Sequence, residues 1–303
     1  MKLFKARSSA VGKIMAEAQG KSPLEKHDDL KEKIAKKKAQ LEKLNPETKT
    51  AQKLPGEIKI YKAELIELAK VKDDMHLGGT CTTYCQDWLK EQIYQRRVEF
   101  TSKYTSKGNI MEDDSLDFIA DSLGLGMLIK NEEYFENDFI TGTPDTLPRE
   151  YVIDAKNSWS FATFPLLDTE LTNKDYWWQM QSYMWLADKK KAKVLYTLMD
   201  TPLHLIESEA KRHCWSGGYD YTDEILEEFK KRMTYPDIPK EMRIKSFDVE
   251  CHEGAIESIK ARVIECRTYI KTLIELLPSQ QVTPELETAD NTDGKGGIVN
   301  PFK

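Results

Sequence analysis

A short apolar run that ends in a carboxylate and a lysine constrains the fold of this chain more than any other feature. Tyr151-Val152-Ile153 leads directly into Asp154-Ala155-Lys156, and this pattern predicts a strand that ends in charge. Residues two apart on a strand share one face, so Asp154 and Lys156 should point the same way. The triplet alone is weak evidence, because an acidic residue two positions before a lysine occurs eight times in the sequence.

A second carboxylate lies nine residues upstream, in Gly142-Thr143-Pro144-Asp145. We expect this loop, with Leu147-Pro148, to join two strands into a hairpin and bring Asp145 beside Asp154. Two converging carboxylates repel each other unless a cation lies between them. Hard oxygen ligands favour Mg²⁺ or Mn²⁺, so the pair predicts a divalent-metal site.

Two more polar residues occur where helices are predicted. Glu112 begins an apolar stripe that continues at Leu116, Ile119 and Leu123. Its carboxylate is therefore expected to point toward the core, where carboxylates are paired or metal-bound. Gln179 lies in an aromatic-rich helix predicted over residues 174–188. Taken singly, each of the two is more typical of a side chain that reaches solvent. Their order along the chain, together with the two aspartates, is far more informative.

This ordered set resembles the motifs of the phage lambda exonuclease family, also called YqaJ-type viral recombinases, within the PD-(D/E)XK nuclease superfamily. The matching segments are Gly108-x-x-x-Glu112, Thr143-Pro144-Asp145, Asp154-Ala155-Lys156 and Gln179-x-Gln181-x-x-Met184-Trp185. The resemblance covers about residues 76–200. Asp154 stands where many relatives have glutamate, which the family pattern allows. Residues 22–75 have no obvious counterpart in the family's best-known member.

The resemblance implies an α/β fold with a PD-(D/E)XK restriction-endonuclease-like core. This core is a mixed sheet flanked by helices in the order αβββαβ, here with an inserted helical pair. It also implies a Mg²⁺-dependent (or Mn²⁺-dependent) exonuclease that acts on duplex DNA ends, in phage-type recombination. The implied metal-site residues are Asp145, Asp154, the Ala155 carbonyl and Glu112. Lys156 would stabilise negative charge and orient the attacking water, and Gln179 would position Lys156 or the nucleophile.

The same resemblance implies recognition of a terminal 5′-phosphate. Hydroxyl residues of the family's phosphate pocket resemble Thr143 and Ser9, and Arg7 is the candidate cation. Digestion from 5′ to 3′ is then expected. The alternative for Ser8-Ser9 is a helix cap before Ala10, since serine is a favoured N-cap residue.

The sequence alone is compatible with other functions. The same fold also serves endonucleases and single-strand nucleases of the RecB type. A different class is a catalytically inactive DNA-binding protein, which the complete carboxylate–lysine set disfavours, because such groups are costly to keep buried without a metal. By family resemblance alone, a single-strand annealing protein is a possible partner and a homotrimer a possible assembly.

Charge is unevenly distributed along the sequence. The net charge is −6, but residues 1–72 carry 18 Lys/Arg against 10 Asp/Glu. A nuclease needs only a locally basic surface, so the negative total does not exclude DNA binding. Five cysteines without a CxxC pair predict reduced thiols rather than a zinc ribbon. Without a signal-peptide core or a membrane span, the chain is expected to be cytoplasmic.

Composition and breakers predict three parts of the chain. They are a nuclease domain (1–21 and 76–277), a charged helical insertion (22–75) and a disordered C-terminal tail (278–303). Within the insertion we predict helices over 24–44 and 57–73, with Pro55-Gly56 as a breaker. In the nuclease domain we predict strands over 127–134, 139–142, 151–156, 193–199 and 242–249.

Overall fold

The computed structural model describes residues 1–18, 21–69, 77–97 and 102–277. It is a mixed α/β structure with two small sheets. The helices are α1 (Val11–Met15), α2 (Pro23–Lys43), α3 (Lys49–Ala69), α4 (Gly79–Tyr94), α5 (Lys103–Ile110), α6 (Glu112–Leu123), α7 (Lys174–Leu186), α8 (Leu203–Gly217), α9 (Asp223–Met233) and α10 (Glu253–Glu275). The strands are β1 (Ala6–Arg7), β2 (Phe135–Glu136), β3 (Ile140–Gly142), β4 (Val152–Asn157), β5 (Lys191–Thr197) and β6 (Ile244–Glu250). None of the described helices is long and apolar enough to cross a bilayer. The expected tail, 278–303, lies outside the described residues.

Each sheet mixes parallel and antiparallel pairs. The first has the order β1-β3-β2, with β1 parallel and β2 antiparallel to β3. The second has the order β4-β5-β6, with β4 parallel and β6 antiparallel to β5. From α6 to β5 the elements run helix, three strands, helix, strand, which is the expected order.

Alternation along β4 decides which way its charged residues point. Val152 packs with Met180 and Met184 of α7, whereas Ile153 packs on the opposite face with Ile119 of α6. Asp154 shares the face of Val152, because side chains two apart on a strand point the same way. The apolar pattern of β4 therefore directs Asp154, and Lys156 after it, toward α7.

The prediction of a hairpin between Gly142 and Asp154 is wrong. β3 is the central strand of its sheet and is already paired on both sides, so no edge remains for β4. The connection is instead a single antiparallel bridge, in which Ile153 N donates to Thr146 O at 3.1 Å. This bridge still brings the loop after β3 against the middle of β4.

The prediction of a strand over 127–134 is also wrong. Met127 is 87% exposed and Ile129 is 74% exposed, so the alternating residues have no buried face to pack against. The segment makes only one isolated bridge, between Lys130 and Thr146.

Helices α2 and α3 pack chiefly on each other. Leu30 and Ile34 are buried on α2, and Leu54 and Ile58 are buried on α3. Pro55 was expected to lie between the two helices and instead lies inside the second, which begins at Lys49. A proline in a helix removes one backbone hydrogen bond, and burial of the apolar residues on either side offsets that loss.

We expect residues 22–75 to be dispensable for the fold. Glu17 and Leu77 form an antiparallel bridge, so the two ends of the segment are neighbours and a short Gly/Ser linker can join them. The deleted protein should stay soluble. The nuclease function expected from the sequence further predicts that it keeps metal-dependent cleavage, with weaker DNA binding as salt rises, because it loses basic residues. Circular dichroism and DNA binding at two salt concentrations measure both effects. An insoluble deletion would show that the pair contributes to the core.

Candidate active site

Asp154, Lys156 and Gln179 meet between β4 and α7. Asp154 is 1% exposed, and its Oδ2 lies 2.6 Å from Lys156 Nζ. Gln179 Nε2 donates to Asp154 Oδ1 at 3.2 Å, and Gln179 Oε1 accepts from Lys156 Nζ at 3.4 Å. Gln179 Nε2 also lies 3.2 Å from the Tyr183 hydroxyl. One amide therefore orients both the carboxylate and the ammonium.

Asp145 reaches the same strand from the loop after β3. Its Oδ2 accepts a hydrogen bond from Ala155 N at 2.8 Å. Burial, and after it the nearby charge of Asp154, raises the pKa of Asp145 to about 7. Asp145 thus contacts the residue next to Asp154, and two neighbouring carboxylates are costly to keep ionised together without a cation.

The Lys156 ammonium is held by charge from several sides. Burial alone would lower the pKa of Lys156, but the carboxylates of Asp154 and Asp145 outweigh it, and the pKa lies above its ordinary value. The ammonium also lies 4.6 Å from the ring centroid of Tyr176, a favourable cation–π distance. Lys156 is therefore charged at neutral pH.

Glu112 lines a cavity together with Asp145, Asp154 and Lys156, but its side chain does not point into the core as expected. Its side chain is 29% exposed, and its Oε2 lies 3.0 Å from Lys130 Nζ. Leu116 and Ile119 are buried as predicted, whereas Leu123 is 40% exposed. Glu112 is the first residue of α6, so its side chain lies at the end of the apolar stripe, where solvent reaches it.

The residues present fit a hard divalent cation at Asp145 and Asp154. Asp154 Oδ2 is buried and contacts the Lys156 ammonium at 2.6 Å. A carboxylate oxygen has two lone pairs, so one remains for a metal. Glu112 belongs to the same cavity, but its carboxylate is engaged by Lys130. Within the described parts of the chain, the only three His, Cys, Asp or Glu ligand atoms that converge within 4.8 Å are thiols, those of Cys81, Cys85 and Cys266.

These side chains border an open cavity of about 480 Å³. It is lined by Tyr104, Thr105, Gly108, Asn109, Glu112, Asp145, Asp154, Ala155, Lys156, Asn157, Ser158, Trp159, Thr163, Tyr176, Gln179 and Tyr196. All six residues expected at the catalytic centre are among them. The acidic and basic groups face a space large enough for a phosphodiester.

Sequence reasoning missed two residues of this region. Tyr176 lies three positions before Gln179 on α7, so helical spacing alone predicts that the two share a face. Lys107 is fully buried on α5 and donates to the carbonyl oxygens of Ser158, Trp159 and Met199, at 2.8 to 3.1 Å. Burial lowers its pKa to about 8. No sequence signal distinguishes Lys107 from the exposed lysines around it.

Residues expected to bind a 5′-phosphate lie apart from this cavity. Arg7 and Ser9 line a second cavity of about 730 Å³, with Lys13 and Arg97. The guanidinium of Arg7 is paired with Glu91 at 2.6 Å. No side-chain cap is formed at the start of the first helical turns, so the expected serine cap is absent there.

Thr143 is linked to this N-terminal segment through the first sheet. β1 pairs with β3 so that Arg7 lies opposite Thr141, two residues before the exposed Thr143. A Cβ on Gly142 would lie 2.6 Å from Ser8 Oγ, so only glycine allows so close an approach there. The two proposed hydroxyl segments are thus neighbours in the fold.

Comparisons with known proteins give a structural match but no sequence match. The sequence matches no family model and no curated protein. The structure is similar to the crystal structure of a phage-related exonuclease from Haemophilus somnus 129PT. The two are 25% identical with a TM-score of 0.60, over 90% of this chain and 96% of that chain.

A weaker likeness is to the alkaline exonuclease LHK-Exo from Laribacter hongkongensis, solved alone and in complex with dAMP. It is 13% identical over 65% of this chain and 83% of that chain, with TM-scores of 0.45 and 0.44. With its motifs in order, the chain is similar in structure, over nine-tenths of its length, to a phage-related exonuclease.

Proposed function

We propose that this protein is a divalent-metal-dependent DNA exonuclease that hydrolyses phosphodiester bonds from the ends of duplex DNA. The observation that carries the proposal is the shared face of Asp154 and Lys156 on β4, with Asp145 bonded to the backbone between them. Paired carboxylates beside a charged lysine suit phosphodiester hydrolysis, because the reaction needs both a metal and a cation near the phosphate.

Asp145, Asp154 and the Ala155 carbonyl are the proposed Mg²⁺ ligands, with Glu112 completing the set directly or through water. When bound, Mg²⁺ polarises the phosphate and lowers the pKa of a coordinated water. The Lys156 ammonium stabilises the negative charge that develops on the phosphoryl oxygens. Gln179 acts as a positioning residue, since its amide holds Asp154 and Lys156 at once.

The test is digestion of one duplex in linear and covalently closed circular forms, with Mg²⁺ present. An exonuclease degrades the linear form and leaves the circle intact. Cleavage of the circle would make the protein an endonuclease of the same fold. If neither form is cut while DNA is still bound, the chain is an inactive DNA-binding protein and the proposal fails.

We further propose 5′-to-3′ digestion with a preference for 5′-phosphorylated ends. The cavity beside Arg7 and Ser9 supports this, because it combines hydroxyl and basic side chains and lies next to the segment that carries Thr143. Each hydroxyl can donate to a phosphate oxygen, and nearby cations strengthen such contacts.

Wild type should therefore digest a 5′-phosphorylated duplex about tenfold faster than a 5′-hydroxyl duplex, as expected for losing one or two charge-assisted hydrogen bonds. A Ser9→Ala, Thr143→Ala double variant should lose this preference while its rate on the 5′-hydroxyl duplex stays the same. Equal wild-type rates on both ends would remove the phosphate pocket. Release of nucleotides from the 3′ end would reverse the polarity.

A further inference from the structure

Two aromatic rings, those of Tyr104 and Trp159, line the rim of the proposed catalytic cavity. Tyr104 is the second residue of α5, and it is 56% exposed. Trp159 follows β4 and is partly buried. Their ring centroids lie 5.7 Å apart, with planes inclined by 70°. Such an edge-to-face pair is stable, and it leaves much of the Tyr104 ring open to the cavity.

A buried lysine fixes this pair relative to the catalytic strand. Lys107, one turn after Tyr104 on α5, donates to the carbonyl oxygens of Ser158 and Trp159. The helix that carries one ring is thereby bonded to the backbone that carries the other. Because the side chain of Lys107 is fully buried, these bonds are shielded from water. The two rings are preorganised before any ligand arrives.

The rim presents rings rather than free charge. Lys103 Nζ lies 4.9 Å from the Trp159 centroid and 5.3 Å from that of Tyr104. Its ammonium is also paired with Glu209 at 2.9 Å. Part of its charge is therefore neutralised, and the cation mainly stiffens the ring pair. An exposed aromatic face with little net charge suits a nucleobase better than a phosphate.

Trp159 lies close enough to Lys156 along the chain to contact nucleotides next to the reacting bond. Trp159 follows Lys156 by three residues, which span at most about 10 Å. We propose that Tyr104 and Trp159 form a stacking platform for unpaired nucleobases beside the scissile phosphate. The platform rests on the proposed exonuclease function and defines its substrate there as a separated strand end, because bases inside a duplex have no free face.

Terminal bases replaced by 2-aminopurine report stacking directly, because their fluorescence falls when they stack on an aromatic ring. With Ca²⁺ in place of Mg²⁺, wild type should quench the probe at the end of a bound duplex. Tyr104→Ala and Trp159→Ala should abolish the quenching and weaken binding about tenfold. Tyr104→Phe should retain it, since it keeps the ring face. Tyr94→Ala, an exposed tyrosine outside the cavity, is the matched control.

Cleavage with Mg²⁺ separates failure of the platform from failure of the enzyme. An abasic nucleotide at the terminal position should slow wild type about tenfold and slow Tyr104→Ala no further. If Tyr104→Ala is slowed by the abasic nucleotide as much as wild type, or quenches the probe equally, the platform is refuted while the nuclease stands. If wild type cuts no linear duplex, the proposed function falls and the platform falls with it.

Discussion

Replacing Asp154 by asparagine should reduce DNA cleavage by a factor of about 1,000 or more, because the proposed site then loses a charged metal ligand. The variant keeps the size of the side chain, and an amide oxygen can still accept from Gln179. Stability should change little. The repulsion between Asp154 and Asp145 disappears, and Asp145 remains as a carboxylate near the Lys156 ammonium. Lys156→Met should lose cleavage to a similar degree while it preserves the buried stem.

Asp248→Asn is the matched control for this experiment. Asp248 also lies on a strand of the second sheet and is paired with a lysine, Lys193, but it is 76% exposed and outside the cavity. Its cleavage rate should equal that of wild type. If Asp154→Asn cut DNA within about tenfold of wild type, the assigned centre would be wrong.

Replacing Lys107 by alanine should lower the free energy of unfolding by about 3 kcal/mol, which is a large loss for one residue. The substitution removes the donor to three carbonyl groups and leaves those of Ser158, Trp159 and Met199 without it. It also detaches α5 from the ends of β4 and β5. Urea denaturation monitored by circular dichroism measures the change, provided the slope of the transition stays constant.

Lys90→Ala provides the comparison. Lys90 is also a helical lysine, but it is exposed and paired with Asp87 at 3.0 Å, and such surface pairs contribute little. Its loss should change the free energy of unfolding far less than the loss of Lys107. Equal effects of the two substitutions would mean that the three carbonyl contacts do not stabilise the fold.

The site was more predictable from sequence than the fold around it. Alternation on β4 is a local rule, so it anticipated that Asp154 and Lys156 would share one face. The place of Gln179 beside them was implied only by the resemblance to a known family. Asp145 joined them although the hairpin was wrong, since one bridge at Thr146 was sufficient. The orientation of Glu112 depended on a partner, Lys130, that no local pattern indicates.

Elements with weak apolar patterns could not be predicted. Helix α8 was not expected, because its buried residues are Ile206, Ala210 and Cys214, and two of these three are small. The strand prediction at 127–134 failed for the opposite reason. The first residues of this segment are apolar, but no neighbouring element packs against them and they stay exposed. Both outcomes were decided by tertiary packing, which overrides local propensity.

Release of nucleotides from an end-labelled linear duplex by wild type and Asp154→Asn, with Mg²⁺ or with EDTA, tests the central claim most directly. The claim is that a metal held at Asp145 and Asp154 drives hydrolysis from DNA ends. It predicts that wild type releases labelled mononucleotides with Mg²⁺ and none with EDTA, and that Asp154→Asn releases almost none in either. Release that persists in EDTA, or in Asp154→Asn at the wild-type rate, would contradict it.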